Sequence, residues 1–228
     1  NNLAIKKLCL LLILILSFTI FKDLNTIGKN PDDDWPMWRH DPEHTGCSKD
    51  EVKPPLEKVW EFETGVQIYH SPAISGDYVY VASGHPDDIW HLSMRVYCLN
   101  KNTGLKVWEY KGADFENFNS TPAISGNYLY IGSTAWRIYC LNKNTGSKIW
   151  EYEAFGGVQS SPAISGDYVY IGSDGGMVYC LNKKKGTEVW KYETKGSIYL
   201  SSPAVSGNYV YIGSTDKKVY CLNKNTGV

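Results

Sequence analysis

Cys140-Leu141-Asn142-Lys143-Asn144-Thr145-Gly146-Ser147-Lys148-Ile149-Trp150 decides how this chain is read. The same pattern runs over 98–108 and 180–190 and starts again at 221–227. Upstream of each copy stands a Pro-Ala element, with Pro72, Pro122, Pro162 and Pro203 in one column. Tyr-Cys-Leu-Asn follows at 97–100, 139–142, 179–182 and 220–223. The Pro-to-Cys spacing is 18 in three copies and 26 in the first, and Cys-to-Trp is 10 in the three copies that contain both. The chain is therefore a tandem array with a period of about 40 residues, in the range of propeller blades.

Each repeat holds four strand candidates. Ser-Pro-Ala-Ile-Ser carries its proline at the strand start, where a missing N–H is tolerated. A Ser-Gly-Asp or Ser-Gly-Asn turn leads to Tyr-Val-Tyr-Ile-Gly-Ser, which alternates with period two. Val-Tyr-Cys-Leu-Asn and Lys-Val-Trp-Glu-Tyr are the third and fourth, separated by Lys-Asn-Thr-Gly. Such small sheets cannot bury both faces alone, and stacking them around an axis covers the faces and leaves short edges. The reading is an all-β chain, a β-propeller of four-stranded blades with four units visible. A β-sandwich would leave the strict repeat unexplained.

The quoted motif resembles the pyrroloquinoline-quinone (PQQ)-like propeller repeat, roughly A-x-D-x-x-T-G-x-x-x-W. Asn100, Asn142, Asn182 and Asn223 stand where that family usually has Asp, Cys replaces its Ala, and Lys185 replaces Thr before Gly186. The stretch from Asp34 to Gly46 is similar to the lead-in before the family's first blade. The resemblance covers about 34–228. It implies that Trp60, Trp108, Trp150 and Trp190 pack between blades against Thr-Gly-type turns at Gly104, Gly146, Gly186 and Gly227, and that the lead-in is a structural latch. It also implies a ring of seven or eight blades, so the visible array is expected to be part of a longer propeller. Lys58–Glu63 reads as a fourth strand without a blade of its own, the strand that in the family completes the last blade.

Composition narrows the function. Lys plus Arg is 23 against 24 Asp plus Glu, a net charge of −1, which offers no footprint for nucleic acid. The 17 Tyr, 8 Trp and 6 Phe make an aromatic excess, and most of it falls in the repeat columns. Lys6 and Lys7 precede an apolar run from Leu8 to Phe21, which reads as an export signal or N-terminal membrane anchor. The organisation expected is 1–27 signal or anchor, 28–57 linker and lead-in, and 58–228 propeller repeats. The chain is expected to be exported, in the periplasm, extracellular, or anchored facing outward, with the membrane touched only through that first segment.

Cys98, Cys140, Cys180 and Cys221 occupy one column, one per blade, too far apart for disulfides and too dispersed for zinc. They are read as buried free thiols acting as small hydrophobes. The first blade carries an insertion, 83–94, in which His85, Asp87, Asp88 and His91 are metal-competent types. The plain reading is a solvated loop. Trp90 at its tip and Trp136 in the equivalent hairpin of the second blade form a candidate contact patch for a protein or a surface glycan. His40 and His44 lie in the lead-in and are assigned to the latch.

The function expected is a non-catalytic binding or protein-interaction scaffold at the cell surface or in the periplasm, with no catalytic residue and no cofactor assigned. One alternative is a PQQ-dependent quinoprotein dehydrogenase, which would bring PQQ with calcium. The family's enzymes commonly carry a Cys-Cys dipeptide, and this sequence has none. The other is a carbohydrate-binding or sensor ectodomain.

Overall fold

The computed structural model describes residues 34–46, 55–84, 94–113 and 116–228. Residues 34–228 form one compact unit. Among the described residues every regular element is a strand, fifteen in all. The first blade is β1 (Ala73–Ser75), β2 (Tyr78–Ala82), β3 (Arg95–Asn100) and β4 (Lys106–Lys111). The second is β5 (Ala123–Ser125), β6 (Tyr128–Ser133), β7 (Arg137–Asn142) and β8 (Lys148–Glu153). The third is β9 (Ala163–Ser165), β10 (Tyr168–Gly172), β11 (Met177–Asn182) and β12 (Glu188–Glu193). The fourth has three strands, β13 (Ala204–Ser206), β14 (Tyr209–Ser214) and β15 (Lys218–Asn223).

Each blade is an antiparallel meander in chain order. The register repeats from blade to blade: Tyr80 faces Cys98, Tyr130 faces Cys140, Tyr170 faces Cys180 and Tyr211 faces Cys221. Between the third and fourth strands Cys98, Cys140 and Cys180 face Trp108, Trp150 and Trp190, and the register then slips by a bulge. The bulge twists the outer strand and sets its tryptophan against the next blade. The alternation seen in the sequence is thus between two packed faces, and Val96, Ile138 and Val178 are all fully buried.

The Asn-Lys-Asn-Thr-Gly turns close in a uniform way. The Asn142 Oδ1 accepts the amides of Asn144 and Thr145 at 2.9 and 3.2 Å, and Asn100, Asn182 and Asn223 do the same in their own turns. An amide carbonyl serves here as well as the family's carboxylate, because only an acceptor is needed. The turn ends on a glycine at φ +68 to +77. At Lys185 the hydroxyl contact that Thr103 makes with Asn100 is lost while both amide bonds are kept.

Lys58–Glu63, expected as a strand, is not one here. Among the described residues no third strand lies beside it to pair with, although its side chains occupy fourth-strand positions.

Candidate functional site

The blade junctions are built from the tryptophan column. Trp108 Nε1 donates to the Lys143 carbonyl at 2.9 Å, Trp150 to Lys183 at 3.1 Å, and Trp190 to Lys224 at 2.9 Å. Trp60 does the same to Lys101 at 2.8 Å. Each indole lies flat on the glycine of the turn it caps. A Cβ on Gly104, Gly146, Gly186 or Gly227 would sit 2.5–2.7 Å from the ring of Trp60, Trp108, Trp150 or Trp190 respectively. A second aromatic follows two residues on: Phe62, Tyr110, Tyr152 and Tyr192 pack on Tyr97, Tyr139, Tyr179 and Tyr220, with centroids 5.3–5.8 Å apart. Tyr130 and Tyr170 add hydroxyl bonds to the carbonyls of Lys183 and Lys224. These columns join blade to blade and leave no open surface for a ligand.

Cys98, Cys140 and Cys180 are buried beneath these rings, and burial pushes each thiol up to about 12. Cys221 departs from the expected burial and is exposed. It lacks both a fourth strand beside it and a following blade above it.

The lead-in crosses the inner strands. Trp35 exchanges backbone hydrogen bonds with Ile74 of β1, the Ile124 amide of β5 donates to the Pro36 carbonyl at 2.6 Å, and the Val205 amide of β13 donates to the Pro42 carbonyl at 2.7 Å. The Asp34 carboxylate accepts from the Ser75 hydroxyl and the Gly76 amide. Met37 is buried among Ala123, Tyr130 and Ile164. The edge groups of the innermost strands are thereby satisfied by the chain's own backbone. His40 and His44 belong to this segment. They stack edge-on against Trp35 and Trp38, and burial holds the His44 imidazole below its usual range.

The remaining candidate surface is the face formed by the loops between blades and the hairpins between second and third strands. Backbone bonds tie the two sets together, Thr134 to Asn117, Asp174 to Gly157 and Thr215 to Ser197. Ile68, Tyr69, Trp136, Phe155, Tyr199 and Leu200 all project from this face, each 47–68% exposed. Trp136 stands at φ +64, where the equivalent hairpins have Gly176 and Lys217. The other end of the blades carries polar Ser-Gly and Asn-Thr-Gly turns, with Leu105, Tyr209 and Val228 exposed beside them. His85, Asp87, Asp88, His91 and Trp90 lie outside the described residues.

Two carboxyls, the buried Glu116 and the half-buried Asp174, were not singled out from sequence. Glu116 accepts from the Ser133 hydroxyl, the Tyr139 hydroxyl and the Ala113 amide, and so closes the loop into the second blade. Asp174 borders a cleft of 520 Å³ with Glu193, Thr194 and Lys195. One of its oxygens accepts from Gln159, and burial raises its carboxyl above the ordinary range. Among the described residues no three His, Cys, Asp or Glu converge as a metal site.

The comparisons agree with this architecture. No curated protein matches the chain. The BamB structure from Moraxella catarrhalis superposes with a TM-score of 0.61 at 20% identity, over 73% of this chain and 49% of that one. Quinohemoprotein alcohol dehydrogenase ADHIIG from Pseudomonas putida HK5 gives 0.64 at 16%, over 86% and 39%. The computationally designed Ika4 protein gives 0.60 at 14%, over 74% and 98%. The chain thus spans about half the length of the BamB structure. A short LVIVD repeat model matches 71–86. The family model described as outer membrane protein assembly factor BamB matches 92–228, which is 137 of 228 residues. This chain, a propeller of PQQ-like repeats, belongs to that family.

Proposed function

We propose that the chain is a non-catalytic scaffold, exported to the cell envelope, that holds a protein partner on its loop face and serves outer-membrane protein assembly. The observation that carries this reading is the asymmetry of the two ends of the blades. Six large apolar side chains stand exposed on one end, and the other is lined with polar turns. Exposed aromatics on a rigid frame are the usual anchors of protein recognition, and they are costly to leave in water otherwise. The family's printed description, an assembly factor, supports the same reading.

The dehydrogenase alternative has a solved neighbour of similar fold but finds less support in the side chains. The sequence has no Cys-Cys dipeptide, and the lead-in lies over the inner edges of β1, β5 and β13. The residues described offer no donor set that fits a quinone with calcium, and no step is derived through one.

Photo-crosslinking groups placed at Trp136, Phe155 and Tyr199 are expected to capture the same envelope protein, while groups at Asn102 and Asn144 on the opposite end capture none. Dye reduction by the protein supplied with PQQ and calcium would overturn the scaffold reading. Binding to a glycan array that is lost in Trp136→Ala would favour the carbohydrate alternative instead.

A further inference from the structure

The end of the blades opposite the loop face is basic, and the fold does not demand that charge. In the repeat pattern the residue after the turn's Asn is free to vary, yet Lys101, Lys143, Lys183 and Lys224 fill it in all four copies. The blade junctions take only backbone from this position. Each carbonyl accepts a tryptophan Nε1, and each amide donates to the Ser-Gly-Asx turn of its own blade. Any residue but proline supplies both groups.

The third copy goes further. Lys184 and Lys185 stand where the second copy has Asn144 and Thr145, so three lysines follow one another. Both are exposed, and neither has a carboxylate partner among the described residues. Lys185 also forgoes the hydroxyl bond that Thr103 makes with Asn100, so the charge is placed there at a loss to the turn. The neighbouring turns carry Asp77 and Asp167 in two blades and the neutral Asn127 and Asn208 in the others. Lys183 lies 3.8 Å from Asp167, and Lys143 donates to the Ser75 hydroxyl at 3.1 Å. These turns therefore hold six lysines against two aspartates, in a chain whose total charge is −1. On the loop face the signs are mixed: Arg137 lies 3.8 Å from Glu153, and Asp216 accepts from the Lys195 amide.

We infer that this end of the blades lies against an anionic phospholipid surface, with the lysine turns on its headgroup phosphates. Clusters of about four to eight basic residues suffice for such attraction. Every cation in these turns is lysine. Lysine acts as a mobile point charge, which suits a fluid layer of phosphates, whereas the rigid fork of arginine suits phosphates at fixed positions.

Connectivity agrees. Asp34 stands at this same end, where its carboxylate accepts from Ser75 and Gly76. The chain that precedes it, with Lys6, Lys7 and the apolar run from Leu8 to Phe21, joins the propeller here. Residues 22–33 separate that run from Asp34 and span at most about 43 Å. A run held in a lipid surface therefore keeps the lysine turns within reach of the headgroups and leaves the loop face turned away from them. The inference is independent of which protein the loop face holds.

The test uses the 228-residue chain and reads each lysine by acetylation and mass spectrometry. The probes are vesicles of phosphatidylcholine alone and of phosphatidylcholine mixed with phosphatidylglycerol. With mixed vesicles at low salt, Lys101, Lys184, Lys185 and Lys224 should react several-fold more slowly, while Lys195 and Lys217 on the loop face keep their rates. Phosphatidylcholine alone should protect neither set, and high salt should abolish the protection. Lys184→Asn/Lys185→Thr installs the residues of the second copy and should leave the circular dichroism unchanged. It should lower the preference for mixed over neutral vesicles about 25-fold, at about fivefold for each lysine removed. Reading the preference as a ratio cancels what the apolar run contributes to both vesicles. Equal binding to the two vesicles, equal protection of Lys195 and Lys217, or an unchanged preference in the double variant would overturn the proposal. So would duplex DNA that protects the turn lysines at a lower phosphate concentration than the mixed vesicles do, since the partner would then be nucleic acid.

Discussion

At the scale of single residues the fold rests on a flat ring meeting a bare backbone. Gly146 combines φ +72 with a Trp108 ring 2.6 Å from where a Cβ would stand. Gly126 has φ +59 and nothing within 4 Å. Gly126→Ala should therefore cost only the left-handed penalty, about 1–2 kcal/mol. Gly146→Ala should cost distinctly more, because the indole must move off the turn and give up its bond to Lys143. Urea denaturation of the two variants side by side measures the difference. Trp108→Ala leaves a cavity at the same junction and should cost about 3–5 kcal/mol. The cysteine column gives a chemical readout at this scale. Burial raises the thiols of Cys98, Cys140 and Cys180 from an ordinary 9.0 to about 12. Their contribution is fully present below pH 9 and is lost as pH rises through 12, since unfolding then releases protons the native state retains. Site-resolved alkylation at pH 8 should leave these three unmodified until the protein unfolds, and the denaturation midpoint should fall steadily above pH 9. The Trp, Gly and Cys columns stand out in the sequence because each recurs at a fixed spacing, but Cys221 does not share the burial expected of its column. Glu116 and Asp174 do not stand out, because neither recurs in the other copies.

At the scale of elements, repetition made strands and turns readable and left non-repeated segments obscure. The four columns placed every blade strand, since alternation and turn chemistry agree in each copy. Lys58–Glu63 shares Lys-Val-Trp-Glu with β4, yet a strand is a relation between two segments, and among the described residues this one has no neighbour to pair with. The lead-in was legible as a latch only by resemblance. Its means of attachment is backbone carbonyls, at Pro36 and Pro42, and these leave no trace in side-chain pattern. Hydrogen exchange separates this role from general stability. Deleting residues 34–46 should speed exchange at Ile74, Ile124 and Val205, whose amides donate to the lead-in. Val169, paired inside the third blade with Ile164 and Leu181, should change far less. The hairpin at Trp136 is a second such element. Trp136→Gly, the residue of the third blade, should stabilise the hairpin, because glycine tolerates the positive φ, while removing an exposed tryptophan of the loop face.

At the scale of the molecule the array behaves as a one-dimensional stack, in which stability comes from each blade and from each junction with a neighbour. The second and third blades have junctions on both sides. The fourth has one, and its strands show it: β14 alternates exposed and buried over Tyr209–Ile212 and β15 is largely exposed, where β10 and β11 are almost wholly buried. The fourth copy carries the same Tyr, Val and Cys as the others and differs only in what lies beside it. Stacking therefore predicts a gradient of local stability rather than a single cooperative unit. In dilute protein the amides of β14 and β15 should exchange with free energies of opening well below those of β10 and β11. A missing junction of this kind, with its Trp, Tyr and Val burial, corresponds to several kcal/mol at about 1.5–3 kcal/mol for each large apolar side chain.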